Sequence, residues 1–133
     1  MGGRRMSYYF NKIVDMTFDE AIDKATEELK KEGFGVLTEI DVAGTLKKKI
    51  NVDFRKYRIL GACNPSCAHK ALLAEDKIGT MLPCNIIVQE CQDGKIEVAA
   101  INPVASMQAV QNESLGEIAA KVQSKLKQVI ENI

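Results

Sequence analysis

Two β-favouring runs, Asn85–Cys91 and Lys95–Ile101, stand either side of Gln92-Asp93-Gly94. Strands joined by so short a turn, with Asp-Gly in it, must run antiparallel. A lone hairpin is at best marginally stable in water, so the rest of the chain has to extend the sheet and cover its apolar face. The register follows from charge. A two-residue Asp-Gly turn would set Glu90 against Glu97, and like charges directly opposite are unfavourable. A three-residue loop with Gly94 in the left-handed region pairs Val88 with Val98 instead. That second register is the expected one.

The cover for such a sheet is legible at the C-terminal end. Leu115, Ile118, Ala119, Val122, Leu126, Val129, Ile130 and Ile133 form one apolar stripe at helical spacing. Packing on the chain's own sheet is the common fate of such a stripe. Ser114-Leu115-Gly116-Glu117 reads as a capping box at its start. A second amphipathic helix is expected from about Thr17 to Glu32, with Phe18, Ala21, Ile22, Ala25 and Leu29 inward. Thr17 and Glu20 form its capping box and Gly33 its stop.

Between these helices, Tyr8 to Val14 and Tyr57 to Cys63 read as strands, as does the alternating stretch around Phe34, Val36, Ile40 and Val42. Gly44-Thr45 interrupts that last run. Leu46 and Ile50 are then expected to seat a short helix on the core, with Lys47, Lys48 and Lys49 facing water. Asn64 is a good N-cap and Pro65 fits the first helical position. A helix is therefore expected from Pro65 to Glu75 with Ala68, Ala71 and Leu72 inward, then a loop from Asp76 to Pro83. Asn102-Pro103 ends the last strand. The order is βαβαβαββα. The fold class is α+β, a mostly antiparallel or mixed sheet with helices packed on one face. An open face or edge of that sheet would suit a homodimer.

Size and charge narrow the function. A chain of 133 residues suits one domain, here residues 6–133, and can bury a core without disulfide staples. Residues 1–5 look detached and read as a tag or disordered extension. Eighteen basic residues balance eighteen acidic ones, which argues against a general nucleic-acid binder. No run approaches the roughly 20 apolar residues of a membrane span, and no secretory signal is visible. Cys63, Cys67, Cys84 and Cys91 are therefore read as reduced thiols of a cytoplasmic protein.

Chemistry-bearing residues gather in two short segments. In Cys63-Asn64-Pro65 a strand ends as a helix begins, and a helix N-terminus favours a thiolate. The bland alternative is a buried thiol beside a capping asparagine. Leu82-Pro83-Cys84-Asn85 repeats the Cys-Asn pair at the start of a strand. If that strand lies antiparallel beside Tyr57–Cys63, the two cysteines occupy adjoining sheet ends. Two thiols there could form a redox disulfide or hold a soft metal. Cys67 and His69 do not complete a zinc site, because they point about 200° apart on a helix. Glu39 and Asp41 share a strand face, which suits an acid–base pair or simply a solvated sheet. The usual nucleotide-binding, hydrolase and zinc-protease motifs are absent, and no cofactor is required.

The strings Gly33-Phe34-Gly35-Val36-Leu37-Thr38-Glu39-Ile40-Asp41-Val42, Thr45-Leu46-Lys47-Lys48-Lys49, Tyr57-Arg58-Ile59-Leu60-Gly61-Ala62-Cys63-Asn64-Pro65, Ala68-His69-Lys70-Ala71-Leu72, Ile78-Gly79, Leu82-Pro83-Cys84-Asn85 and Asp93-Gly94 follow one another in order. Together they resemble the domain-of-unknown-function 302 family of bacteria and archaea, from about Tyr8 to the C-terminus. The resemblance implies a compact α+β fold, often dimeric, and supplies no reaction. It puts Cys63, Asn64, Pro65, Pro83, Cys84, Asn85, Glu39 and Asp41 on the family's signature positions, and leaves Cys67 and Cys91 outside them. Many relatives carry Asp-Pro where this chain has Asn102-Pro103, so no carboxylate role transfers to that position.

Three expectations result. The first is a homodimeric binding module for a small ligand or soft metal, using Cys63, Asn64, Cys84, Asn85, Glu39 and Asp41. The second is a thiol-dependent enzyme, redox or transferase, with Cys63 attacking, Cys84 resolving, and Asn85 or backbone N–H groups stabilising negative charge. The third is that both Cys-Asn segments only build tight junctions.

Overall fold

The computed structural model describes residues 7–133; the reading of residues 1–5 as a tag or extension lies outside them. The strands are β1 (Tyr9–Val14), β2 (Gly35–Asp41), β3 (Tyr57–Cys63), β4 (Cys84–Glu90) and β5 (Ile96–Ile101). They form one sheet in the order β1-β5-β4-β3-β2, and each neighbouring pair is antiparallel. The helices are α1 (Phe18–Lys31), α2 (Val42–Ile50), α3 (Pro65–Ala74), α4 (Pro103–Ser106) and α5 (Ser114–Asn132). The expected βαβαβαββα order is thus present, with the four-residue α4 and short 3-10 turns added in the connections.

The hairpin takes the register that avoids the two glutamates. Val88 pairs with Val98 and Glu90 with Ile96. Gly94 has φ +82°, a conformation that a side chain makes costly, and its N–H donates to the Cys91 carbonyl at 2.9 Å.

Alternation then sorts the faces. Cys84, Ile86 and Val88 of β4, and Ile96, Val98 and Ala100 of β5, are buried under helices. They join Leu29 of α1 and Val122, Leu126 and Val129 of α5 in the main core. Thr17 and Glu20 close the capping box on α1, with bonds of 3.0 and 3.1 Å. From β1, Lys12 Nζ donates to the backbone carbonyls of Glu131 and Ile133, each at 3.0 Å, and so fastens the end of α5 to the far edge of the sheet.

Three local expectations change. Helix α2 forms around Leu46 and Ile50 but starts earlier than expected, taking in Val42 and Gly44-Thr45, and none of its residues is buried, with Ile50 63% exposed. The helix links β2 to β3 and packs at that edge of the sheet, and none of its residues joins the main core. Helix α3 buries Cys67 and Ala71 while Leu72 is exposed, so its inward stripe is turned from the expected one. At the start of α5 the Ser114–Glu117 box is not used. Glu113 is the N-cap without a side-chain bond, and Asn112 Oδ1 accepts from the Ser114 N–H at 3.0 Å.

Candidate functional site

Antiparallel pairing of β3 with β4 brings the end of one strand beside the start of the other. Gly61 stands opposite Asn85 and Ala62 opposite Cys84. The two Cys-Asn junctions therefore meet at one end of the sheet. Close packing holds them there. A Cβ on Gly61 would collide with Thr38 Oγ1 and lie 2.8 Å from Pro83 Cγ, so only glycine lets β2 and the cis Leu82–Pro83 peptide approach β3 this closely.

The sulfurs are near one another without forming a facing pair. Cys84 aligns with Ala62, one residue short of Cys63, and adjacent strand residues point to opposite faces. All four cysteines are free. Cys63, Cys67 and Cys84 line a common void of about 30 Å³, walled chiefly by apolar side chains. That volume matches one water molecule and no organic ligand. Burial, with the neighbouring Cys63 and Cys67 thiols adding to it, pushes the Cys84 thiol up to about 11, so it is protonated at neutral pH. Among the described residues, no three or more His, Cys, Asp or Glu side chains are arranged to hold a metal ion.

Most other expected site residues have framework duties. Asn64 Oδ1 accepts from the Cys67 N–H at 3.2 Å, which caps α3, and its Nδ2 reaches the Glu32 carbonyl at the end of α1 at 3.4 Å. Asp41 caps α2 through the Gly44 N–H at 3.0 Å. Glu39 forms an ion pair with Arg58 at 3.2 Å. Asn102 is buried, donates to the Ser7 carbonyl and accepts from the Val104 N–H and Gln123 Nε2, so its amide is satisfied as a joint of the fold. His69 is exposed on α3, and Cys91 lies beside the hairpin turn, away from the junctions.

Asn85 is different. Its side chain is exposed and has no hydrogen-bond partner among the described residues. It faces the side of the sheet that carries no core, and there a hollow of about 370 Å³ opens. Tyr8, Tyr9 and Tyr57 line it, and these are all the tyrosines in the chain. Ala99 and Ile87, paired in register, make its floor. A chain of hydrogen bonds runs along its hairpin end: Arg55 Nε donates to Gln89 Oε1 at 2.8 Å, Gln89 Nε2 to Glu97 Oε1 at 2.7 Å, and Asn11 Nδ2 to Glu97 Oε2 at 2.9 Å. A third hollow, of about 210 Å³, lies at the sheet end. It shares Cys84, Pro103 and Met107 with the inner void, and Asn85 and Ile101 with the open face.

Sequence reasoning singled out Asn85 but not the open-face hollow. Its lining comes from four strands spread over the whole chain. The available signal was parity: Asn11, Asn85, Gln89 and Glu97 fall on the side of their strands opposite the core residues.

A small α+β domain with one sheet face packed and the other hollowed, and with paired Cys-Asn junctions at its end, is the class of protein defined here. Residues 10–133 match the family described as Domain of unknown function DUF302, and the chain belongs to it. It is similar to a solved structure, "Crystal structure of uncharacterized conserved protein DUF302 from Bacillus stearothermophilus", at 29% identity and a TM-score of 0.89, over 96% of this chain and 98% of that one. No curated protein matches it. Among the described residues, no helix is long and apolar enough to cross a membrane.

Proposed function

We propose that the protein is a homodimeric binding module for a small ligand, seated where the Cys84-Asn85 junction opens onto the bare face of the sheet. The observation that carries this is Asn85, an uncommitted amide at the rim of two adjoining hollows. The larger hollow has the size of a small-molecule pocket, and its few polar groups stand among aromatic and aliphatic walls. The inner void excludes anything larger than water, so the ligand lies outside the Cys84 thiol. A soft metal has less support, because the buried thiol keeps its proton and no three-ligand set converges among the described residues. Dialysis of reduced protein against Zn(II) and Cu(I), followed by elemental analysis, separates the two occupants.

The test of the main reading is amide chemical-shift mapping against a fragment library. Hits should move Asn85, Ile87 and Ala99 together and weaken about tenfold or more in Asn85→Ala, a loss of roughly 1.4 kcal/mol. Hits scattered over the surface, or indifferent to that change, would reject it. The homodimer is supported by the exposed apolar side chains of β2, α2 and the segment after α2, among them Leu37, Ile40, Ile50 and Phe54. Sedimentation equilibrium should give twice the chain mass.

For Cys63-Asn64-Pro65 the junction role has specific support, since both polar ends of the Asn64 amide are engaged in joining α1 to α3.

A further inference from the structure

We infer that the open sheet face takes a small organic cation, an ammonium group on an aromatic or alkyl body, with the ammonium on Glu97. The inference rests on the binding-module reading and names its ligand class. Glu97, the second residue of β5, stands half-buried on this face toward the hairpin end. Its two oxygens accept from the Asn11 and Gln89 amides, and no cation pairs with it among the described residues. A carboxylate held by neutral donors is oriented but keeps its full charge, and each oxygen can accept a further bond. The nearest arginine does not neutralise it: Arg55 bonds Gln89 instead, and its guanidinium lies over the rings of Phe54 and Tyr57, at 4.3 and 5.5 Å. The rim thus already holds one cation against aromatic rings, and the three tyrosines of the hollow offer the same attraction to another.

The register orders the site along the strands. Glu97 and Gln89 pair in one row, and Ala99 and Ile87 in the next. Ile101 and Asn85 follow toward the sheet end. Rows on one face are about 7 Å apart, so an amine on Glu97 lays its body over Ala99 and Ile87 and directs its far end at Asn85. Ala99 is the smallest side chain of that row and lies at the base of the hollow.

The test uses the full chain, isotope-labelled, and three probes of one shape: phenethylammonium, 2-phenylethanol and phenylacetate. Phenethylammonium should shift the amides of Ile87, Glu97 and Ala99 and bind about tenfold or more tighter than the alcohol. Glu97→Gln should reduce it to the affinity of the alcohol while the melting temperature stays unchanged. If that variant melts early, Tyr57→Leu serves in its place and should weaken the ammonium more than the alcohol. Equal binding of ammonium and alcohol at these amides overturns the cation and leaves the small-ligand reading standing. So does preference for phenylacetate. Failure of all three probes at millimolar concentration overturns this inference alone, because the binding-module reading falls only with the fragment screen. The same amides moving on dilution, without any probe, would assign the face to a second copy of the chain.

Discussion

The thiol of Cys84 gives the sharpest check on the chemistry of the sheet end. Burial lifts it from the ordinary 9.0 to about 11. At pH 8 a thiol of the ordinary value is about one-tenth ionised, and one at 11 only about a thousandth, so the reactive thiolate falls roughly a hundredfold. The assay is alkylation with iodoacetamide across pH 7 to 11, read site by site by mass spectrometry. The shape of the profile for Cys84 matters more than its absolute rate, since burial also slows access. The rate should keep climbing to about pH 11. A plateau near 9 would refute the reasoning and restore Cys84 as a resolving thiol. The shift also fixes a stability effect. The folded-state value lies above the unfolded one, so the contribution is complete below pH 9 and is lost as pH rises to about 11. A separation of that size is worth about 2–3 kcal/mol. Cys84→Ala should remove this part of the alkaline loss, measured by urea unfolding against pH.

Three further outcomes are expected. Asn64→Ala should lower stability by about 1 kcal/mol through loss of the α3 cap, seen as a fall in denaturation midpoint with the m-value unchanged. Gly61→Ala should cost about 1–3 kcal/mol because its Cβ meets Thr38 and Pro83, and the double change with Thr38→Ala should recover part of it. The Glu28 carboxylate is held below the usual range, chiefly by its bond from Lys31 and also by Lys24. Its contribution is present above the unfolded-state value and lost as pH falls through the lower folded-state value. The stability gap between the protein and Glu28→Gln should therefore close in acid and persist at pH 7. A gap that stays constant with pH would contradict the pairing.

Much of the framework was legible because local and long-range demands agree. The clash of Glu90 with Glu97 alone selects the hairpin register that forms. The stripe from Leu115 to Ile133 turns inward almost entirely, with Ile118 half-buried. Helix α2 shows the limit. Helical spacing of Leu46 and Ile50 says that a helix has an apolar side, but not that a core lies beneath it. The candidate site divides in the same way. Strand order alone brought the Cys-Asn junctions together, whereas the duties of Asn64, Asp41 and Glu39 depend on partners that spacing does not name. Glu97 was read only as a charge to keep away from Glu90. Its place between Asn11 and Gln89 needs β1 beside β5, a pairing that nothing local announces.

That pairing shapes how the chain is assembled. Strand β1 is synthesised first, but its hydrogen-bonding partner is β5, and Lys12 reaches the carbonyls of residues 131 and 133. Strands β2 to β5 can meander into place as they emerge, while β1 must wait for β5, the last strand of the sheet to be made. Contacts of such long sequence separation close slowly. Until they do, the β5 edge is open to any other strand. Nascent or truncated chains lacking a docked β1 should therefore be the species that aggregate.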